Sequence, residues 1–202
     1  MSFALLRDLR DLKVLVLHPN NAEGQSLTEH LRRIGCSPTQ IWPVPPELPV
    51  GTDVVFLAIE DDARPEIERF IKNQPKPGPT MLAIVGYENP STLQIVLESG
   101  ALAVVERPIK PFGLLTNLAI ARSLWLEQQR LIKETRKYRR KVMGDQQLAR
   151  AKAILMAHNG TTENEAYQDL RRQAMERRIS IEEVAKSIVL SEEHLRASPK
   201  RA

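Results

Sequence analysis

Asp53-Val54-Val55-Phe56-Leu57-Ala58-Ile59 is the run whose reading decides the fold. After its leading aspartate every position is apolar, with no alternation, so it predicts a strand buried on both faces. A strand of that kind needs cover on two sides. Working outward, similar runs recur as LKVLVL at 12–17, MLAIV at 81–85 and ALAVV at 101–105. Helical patterns lie at 24–34, 64–73 and 90–99, and 39–42 adds a strand before the proline-rich link 43–49. Continuous apolar strands alternating with helices predict an α/β doubly wound domain built on a five-stranded parallel sheet.

Beyond the sheet, Pro111 to His158 contains no internal proline, which predicts one long helix. Within it Leu124, Gln128, Leu131, Thr135, Tyr138 and Val142 follow the alternating four-and-three spacing of a coiled-coil seam. The polar Gln128 and Thr135 weaken such a pairing while fixing its register. An overlapping stripe runs through Leu118, Ala121, Trp125, Gln128 and Ile132. The expectation is a homodimer joined along this helix; the alternative is a surface helix lying lengthwise on its own domain.

At 202 residues and 42% hydrophobic content the chain suffices for one ordinary domain and a smaller one. It has no apolar run of membrane-spanning length and no secretory leader, so the expected compartment is cytoplasmic, with no membrane partner. The single cysteine, Cys36, excludes an internal disulfide framework and is expected to be a buried packing residue. Charge divides the chain: residues 1–110 carry net −3 and residues 111–202 net +7. RLIKETRKYRRK at 130–141 alone is net +6, which predicts a polyanionic partner at the C-terminal end.

The long helix is expected to stop at Asn159-Gly160. Thr162 with Glu165, and Ser180 with Glu183, form capping boxes that start two further helices, and Met156 and Met175 are assigned to the core of the resulting bundle.

The sheet segment resembles the receiver domain of two-component response regulators, and its chemistry can be compared position by position. His18-Pro19 stands where receivers carry a magnesium-binding acidic pair, and Ala58 occupies the phosphoacceptor position. The switch hydroxyl falls at Val85 or Gly86, and the lysine before proline appears as Arg107-Pro108. The resemblance therefore implies a pseudo-receiver with no phosphoacceptor, no metal, no cofactor and no catalytic residue. Glu60, Asp61 and Asp62 read as a solvated loop, and His18 as a turn histidine.

AKAILM (151–156), an Asn-Gly turn, EAY (165–167) with LR (170–171), AM (174–175) and EVA (183–185) resemble the ANTAR domain, an RNA-binding antitermination module. With RIGC (33–36) and DVVF (53–56), the whole chain is similar to response-regulator-like antiterminators of the amidase-operon type. That resemblance implies a dimer that binds hairpins in a nascent leader mRNA and is controlled by a ligand-sensing negative regulator protein, an amide sensor by analogy. The expected map is a pseudo-receiver at 1–111, a coiled-coil helix at 112–143, an ANTAR bundle at 144–195 and a tail at 196–202. Lys152, Arg171, Arg172, Arg177 and Arg178 are the expected RNA contacts, with Tyr167 as a stacking platform or, equally, a core residue. A DNA-binding response regulator and a scaffold without nucleic acid remain the alternatives; the helix from Ser180 has Lys186 as its one basic residue up to Leu190, few for a recognition helix. No nucleophile with a base, phosphate-cradling loop or metal cluster points to an enzyme.

Overall fold

The computed structural model describes residues 9–87 and 89–197, with side chains as far as residue 194. The chain forms two compact units, Met1–Arg130 and Leu131–Ala202. In the first, β1 (Lys13–Leu17), β2 (Ser37–Ile41), β3 (Val54–Ala58), β4 (Thr80–Val85) and β5 (Ala103–Glu106) make one parallel sheet in the order β2-β1-β3-β4-β5. Helices α1 (Ala22–Ile34), α2 (Arg64–Lys72) and α3 (Pro90–Ser99) connect them. The doubly wound fold expected from the apolar runs is present.

Strand β3 shows why the run at its centre is apolar throughout. Val54, Phe56 and Ala58 pack into a core with Leu27 and Leu31 of α1 and with Leu114, Leu118 and Ala121. Val55 and Leu57 face the opposite core, with Ile67 and Phe70 of α2 and Ile95 of α3. Cys36 belongs to the first core, and burial pushes its thiol up to about 11, so it is a packing residue as expected. Asn21 and Asn89 cap α1 and α3 by accepting from Gly24 and Thr92 amides, and Gly35 closes α1 at φ 102°.

The long helix α4 spans Pro111–Asn159, with non-helical dihedrals at Phe112 (φ −70°, ψ 126°) and Gly113 (φ 94°, ψ −23°). The single straight start expected at Pro111 is therefore corrected to a kink that only glycine adopts without cost. Its first turns belong to the sheet domain. Trp125 Nε1 donates to the Gly78 carbonyl at 2.8 Å, and Arg122 lies 4.4 Å over the Trp125 ring while donating to Thr80 Oγ1 at 3.1 Å. The overlapping stripe is thus corrected: Leu118 and Ala121 are core, not seam. The other seam is open, with Leu124, Gln128, Leu131, Thr135, Tyr138 and Val142 all exposed. Every residue from 131 to 143 is exposed.

In the second unit, Ala151 of α4 packs with Leu170 and Ala174 of α5 (Glu163–Arg177) and with Val184, Ala185 and Val189 of α6 (Ile181–Ala197). Helix α6 runs further than the 180–190 read from the sequence, and the tail residues 198–202 lie outside the described residues. Thr162 and Glu165 form the expected reciprocal box, and Ser180 and Glu183 exchange the same contacts. Met156 and Met175 are corrected: both are exposed, Met175 at 65%. Each sits off the stripe that carries the small core residues.

Replacing Leu118 by Ala leaves a cavity under α4 and is expected to lower the stability of the first unit by about 3 kcal/mol, read from the denaturant midpoint. The cap hydrogen bonds from Thr162 and Ser180 hold the Glu165 and Glu183 carboxyls below the ordinary carboxylate value. Their folded values are depressed, so their stabilisation is complete above the ordinary carboxylate range and lost as pH falls through the lowered values. Acid melts of the second unit should show that loss, and Thr162→Ala should remove part of it.

Candidate nucleic-acid interface and the vacated acceptor pocket

Ligand sites of open parallel sheets lie beyond the carboxyl ends of the strands, and here that end is filled by the chain's own charges. Ala58 ends β3 fully buried. Just past β5, the Arg107 guanidinium pairs with Glu60 and reaches Glu23 Oε2 at 3.4 Å. Its Nη2 donates to His18 Nε2 at 3.0 Å. His18 Nδ1 lies 3.0 Å from the Pro19 carbonyl, which can only accept, so Nδ1 carries the proton and Nε2 is free to accept from arginine. Glu23 Oε1 accepts from the Ile109 amide at 2.9 Å, which ties α1 to the connection leading into α4.

One sequence expectation is corrected by this arrangement. Glu60 is three-quarters covered and ion-paired, although Asp61 and Asp62 beside it are exposed as expected. His18, in the connection after β1, is wholly buried within the network. Its seat depends on Gly24, where an added Cβ would stand 2.8 Å from His18 Nδ1 and 2.5 Å from Gln40 Nε2. Gln40 in turn donates to the His18 and Pro19 carbonyls at 3.1 and 3.0 Å. Glu23 and Gln40 had no signal of their own in the sequence, because their partners are distant along the chain. Among the described residues no group of three or more His, Cys, Asp or Glu is placed to hold a metal.

The six candidate RNA contacts divide by helix geometry. At about 100° per residue, Tyr167, Arg171 and Met175 form one file along α5, set to the side of the buried Ala166, Leu170 and Ala174. Tyr167 is 38% exposed, which resolves its two readings in favour of a surface ring. Glu163 begins the same file, and its carboxylate accepts from Lys152 on α4. Lys152, Tyr167 and Arg171 therefore share a flank. Arg172 does not: it pairs with Asp169 and reaches Glu176 on the far side of α5. Arg177 and Arg178 are both exposed at the end of the helix, and Arg178 closes it in the left-handed conformation at φ 56°. The Lys152 hydrogen bond, then its charge, hold the Glu163 carboxyl below the ordinary value.

Two family models match the chain: the AmiR N-terminal domain over residues 12–122 and the ANTAR domain over residues 136–189. The aliphatic amidase regulator of Pseudomonas aeruginosa is 34% identical over 189 residues, covering 94% of this chain and 96% of that protein. Among solved structures, a CheY-like receiver domain protein from Methanospirillum hungatei JF-1 is similar at TM-score 0.50 and 17% identity, covering 58% of this chain and 98% of that one. NtrX from Brucella abortus gives TM-score 0.50 at 18% identity, over 63% of this chain and 29% of its own. These two likenesses concern the fold alone. The two domain matches and a relative that spans nearly the full length agree, and the chain belongs to the family of AmiR-type regulators that end in an ANTAR domain.

Proposed function

We infer that the chain is a transcription antiterminator, a regulator and not an enzyme, which binds hairpins in a nascent leader mRNA through its C-terminal helices and keeps the terminator stem from forming. The observation that carries this reading is the flank shared by Lys152, Tyr167 and Arg171 inside the segment matched by the ANTAR model. An exposed aromatic ring next to cations on one helix face suits unpaired loop bases, which stack on rings while phosphates meet Lys and Arg. Arg178 supports it further. A non-glycine residue held at positive φ costs about 1–2 kcal/mol, and glycine would serve better if capping were its whole task. Arg172, neutralised by Asp169, is the weakest of the proposed contacts.

The proposed division of labour is a pseudo-receiver at 1–111, a dimerisation helix at 112–143, an RNA-binding bundle at 144–195 and a tail. Leu124, Leu131, Tyr138 and Val142 are apolar, in register and uncovered, which supports a homodimer along that seam. Two bundles carried by one dimer would bind paired hairpins with the gain in effective concentration that tethering brings. Control falls to a ligand-sensing protein partner, because the pocket that would accept a phosphoryl group ends in Ala58 and its cation is committed to Glu23 and Glu60. The aliphatic amidase regulator supplies the analogy for an amide sensor. A cytoplasmic location goes with the proposed action on nascent mRNA; among the described residues no helix is long and apolar enough to cross a membrane.

Binding of the purified protein to a tandem-hairpin leader RNA and to duplex DNA of the same sequence, across a salt series, tests the reading. Preference for RNA is expected, with the salt slope reduced by about 1 for each of Lys152→Ala and Arg171→Ala; equal weak binding to RNA and DNA would leave only charge. Arg178→Gly should raise the stability of the second unit by about 1 kcal/mol while weakening RNA binding. Leu124→Asp with Leu131→Asp should convert a dimer to a monomer in sedimentation, and incubation with acetyl phosphate should add no phosphoryl mass to the protein.

A further inference from the structure

The Lys152 side chain is 21% exposed, while that of its partner Glu163 is 68% exposed. The covered stem fixes where the ammonium can reach, and the open carboxylate stands on the solvent side of it. Glu163 is also the first residue of α5 and heads the file that continues through Tyr167 and Arg171. A carboxylate therefore occupies one end of the flank at which a phosphate would approach. Both groups are anionic acceptors for the same ammonium, and they repel each other when they compete for it. The Glu163 carboxylate suits the first turn of α5 electrostatically, and its exposed pair with Lys152 adds little more to folding, yet it places a negative charge on a basic face.

We propose that Glu163 is a specificity-determining residue of the RNA interface. Its carboxylate closes Lys152 into an ion pair that an RNA phosphate must displace. An RNA that stacks a loop base on Tyr167 and meets Arg171 at the same time recovers that cost through the additional contacts. An unstructured polyanion recovers less and is discriminated against, so Glu163 is the repulsive element that selectivity requires alongside attractive contacts. This inference rests on the RNA-binding reading and deepens it.

The test is a double-mutant cycle on the full-length protein with wild type, Glu163→Gln, Lys152→Ala and the combination, probed with the tandem-hairpin RNA and with poly(U) of equal length. Glutamine keeps the shape of the side chain and removes its charge. Glu163→Gln is expected to raise poly(U) affinity about fivefold and hairpin affinity less, so that the ratio between the two falls. In the Lys152→Ala background the gain should vanish. Glu66→Gln, the same charge change at an exposed position of α2 in the sheet domain, should shift poly(U) affinity less than about twofold. An equal gain from Glu163→Gln with and without Lys152 would overturn the proposal while leaving RNA binding intact. Wild-type protein that shows no preference for the hairpins over poly(U) would overturn the RNA reading, and the proposal with it.

Discussion

The burial of Leu114, Leu118 and Ala121 against the sheet is the contact on which the remaining architecture depends. It makes the first turns of α4 part of the α/β core, while the same helix continues as a fully exposed basic stretch at 131–143 and then contributes Ala151 to the second core. Residues of α4 thus contribute to a hydrophobic cluster in each unit. The helix needs both ends anchored, because a segment of net +6 over twelve residues repels itself and cannot rely on intrinsic propensity.

The pocket at the carboxyl end of the sheet illustrates how a largely covered cation is balanced. An unpaired buried cation is strongly destabilising. Here Glu60 and Glu23 take up Arg107, and His18 adds a neutral acceptor. The result is a polar cluster with a structural role, joined through the Ile109 amide to the segment that leads into α4.

Most of the fold was legible because the strands are covered on both faces, and that state writes itself as unbroken apolar runs such as 53–59. The stripe through Leu118 and Ala121 was misread, because these residues have the same period whether they face a second helix or a sheet. Met156 and Met175 were misread for a related reason, since apolar residues at helical spacing read alike whether they lie on the core stripe of Ala151, Leu170 and Ala174 or just beside it. Thr162 and Ser180 announced their helices because capping is local. The network of His18, Glu23, Glu60 and Arg107 was not readable, because its members are brought together only by the sheet. Lys152 was singled out as a contact, yet its partner Glu163, eleven residues on across a turn, gave no periodic signal.

The committed state of Arg107 has a consequence for what can be placed at the end of β3. A carboxylate introduced at Ala58 alone would enter a fully buried strand end, in a domain whose Arg107 is already shared by two carboxylates and that has no acidic pair at His18-Pro19 to recruit a metal. Such a substitution therefore costs stability before it supplies any acceptor chemistry. The pocket is self-neutralised: its charges are spent on one another and brace α1 against the lead-in to α4.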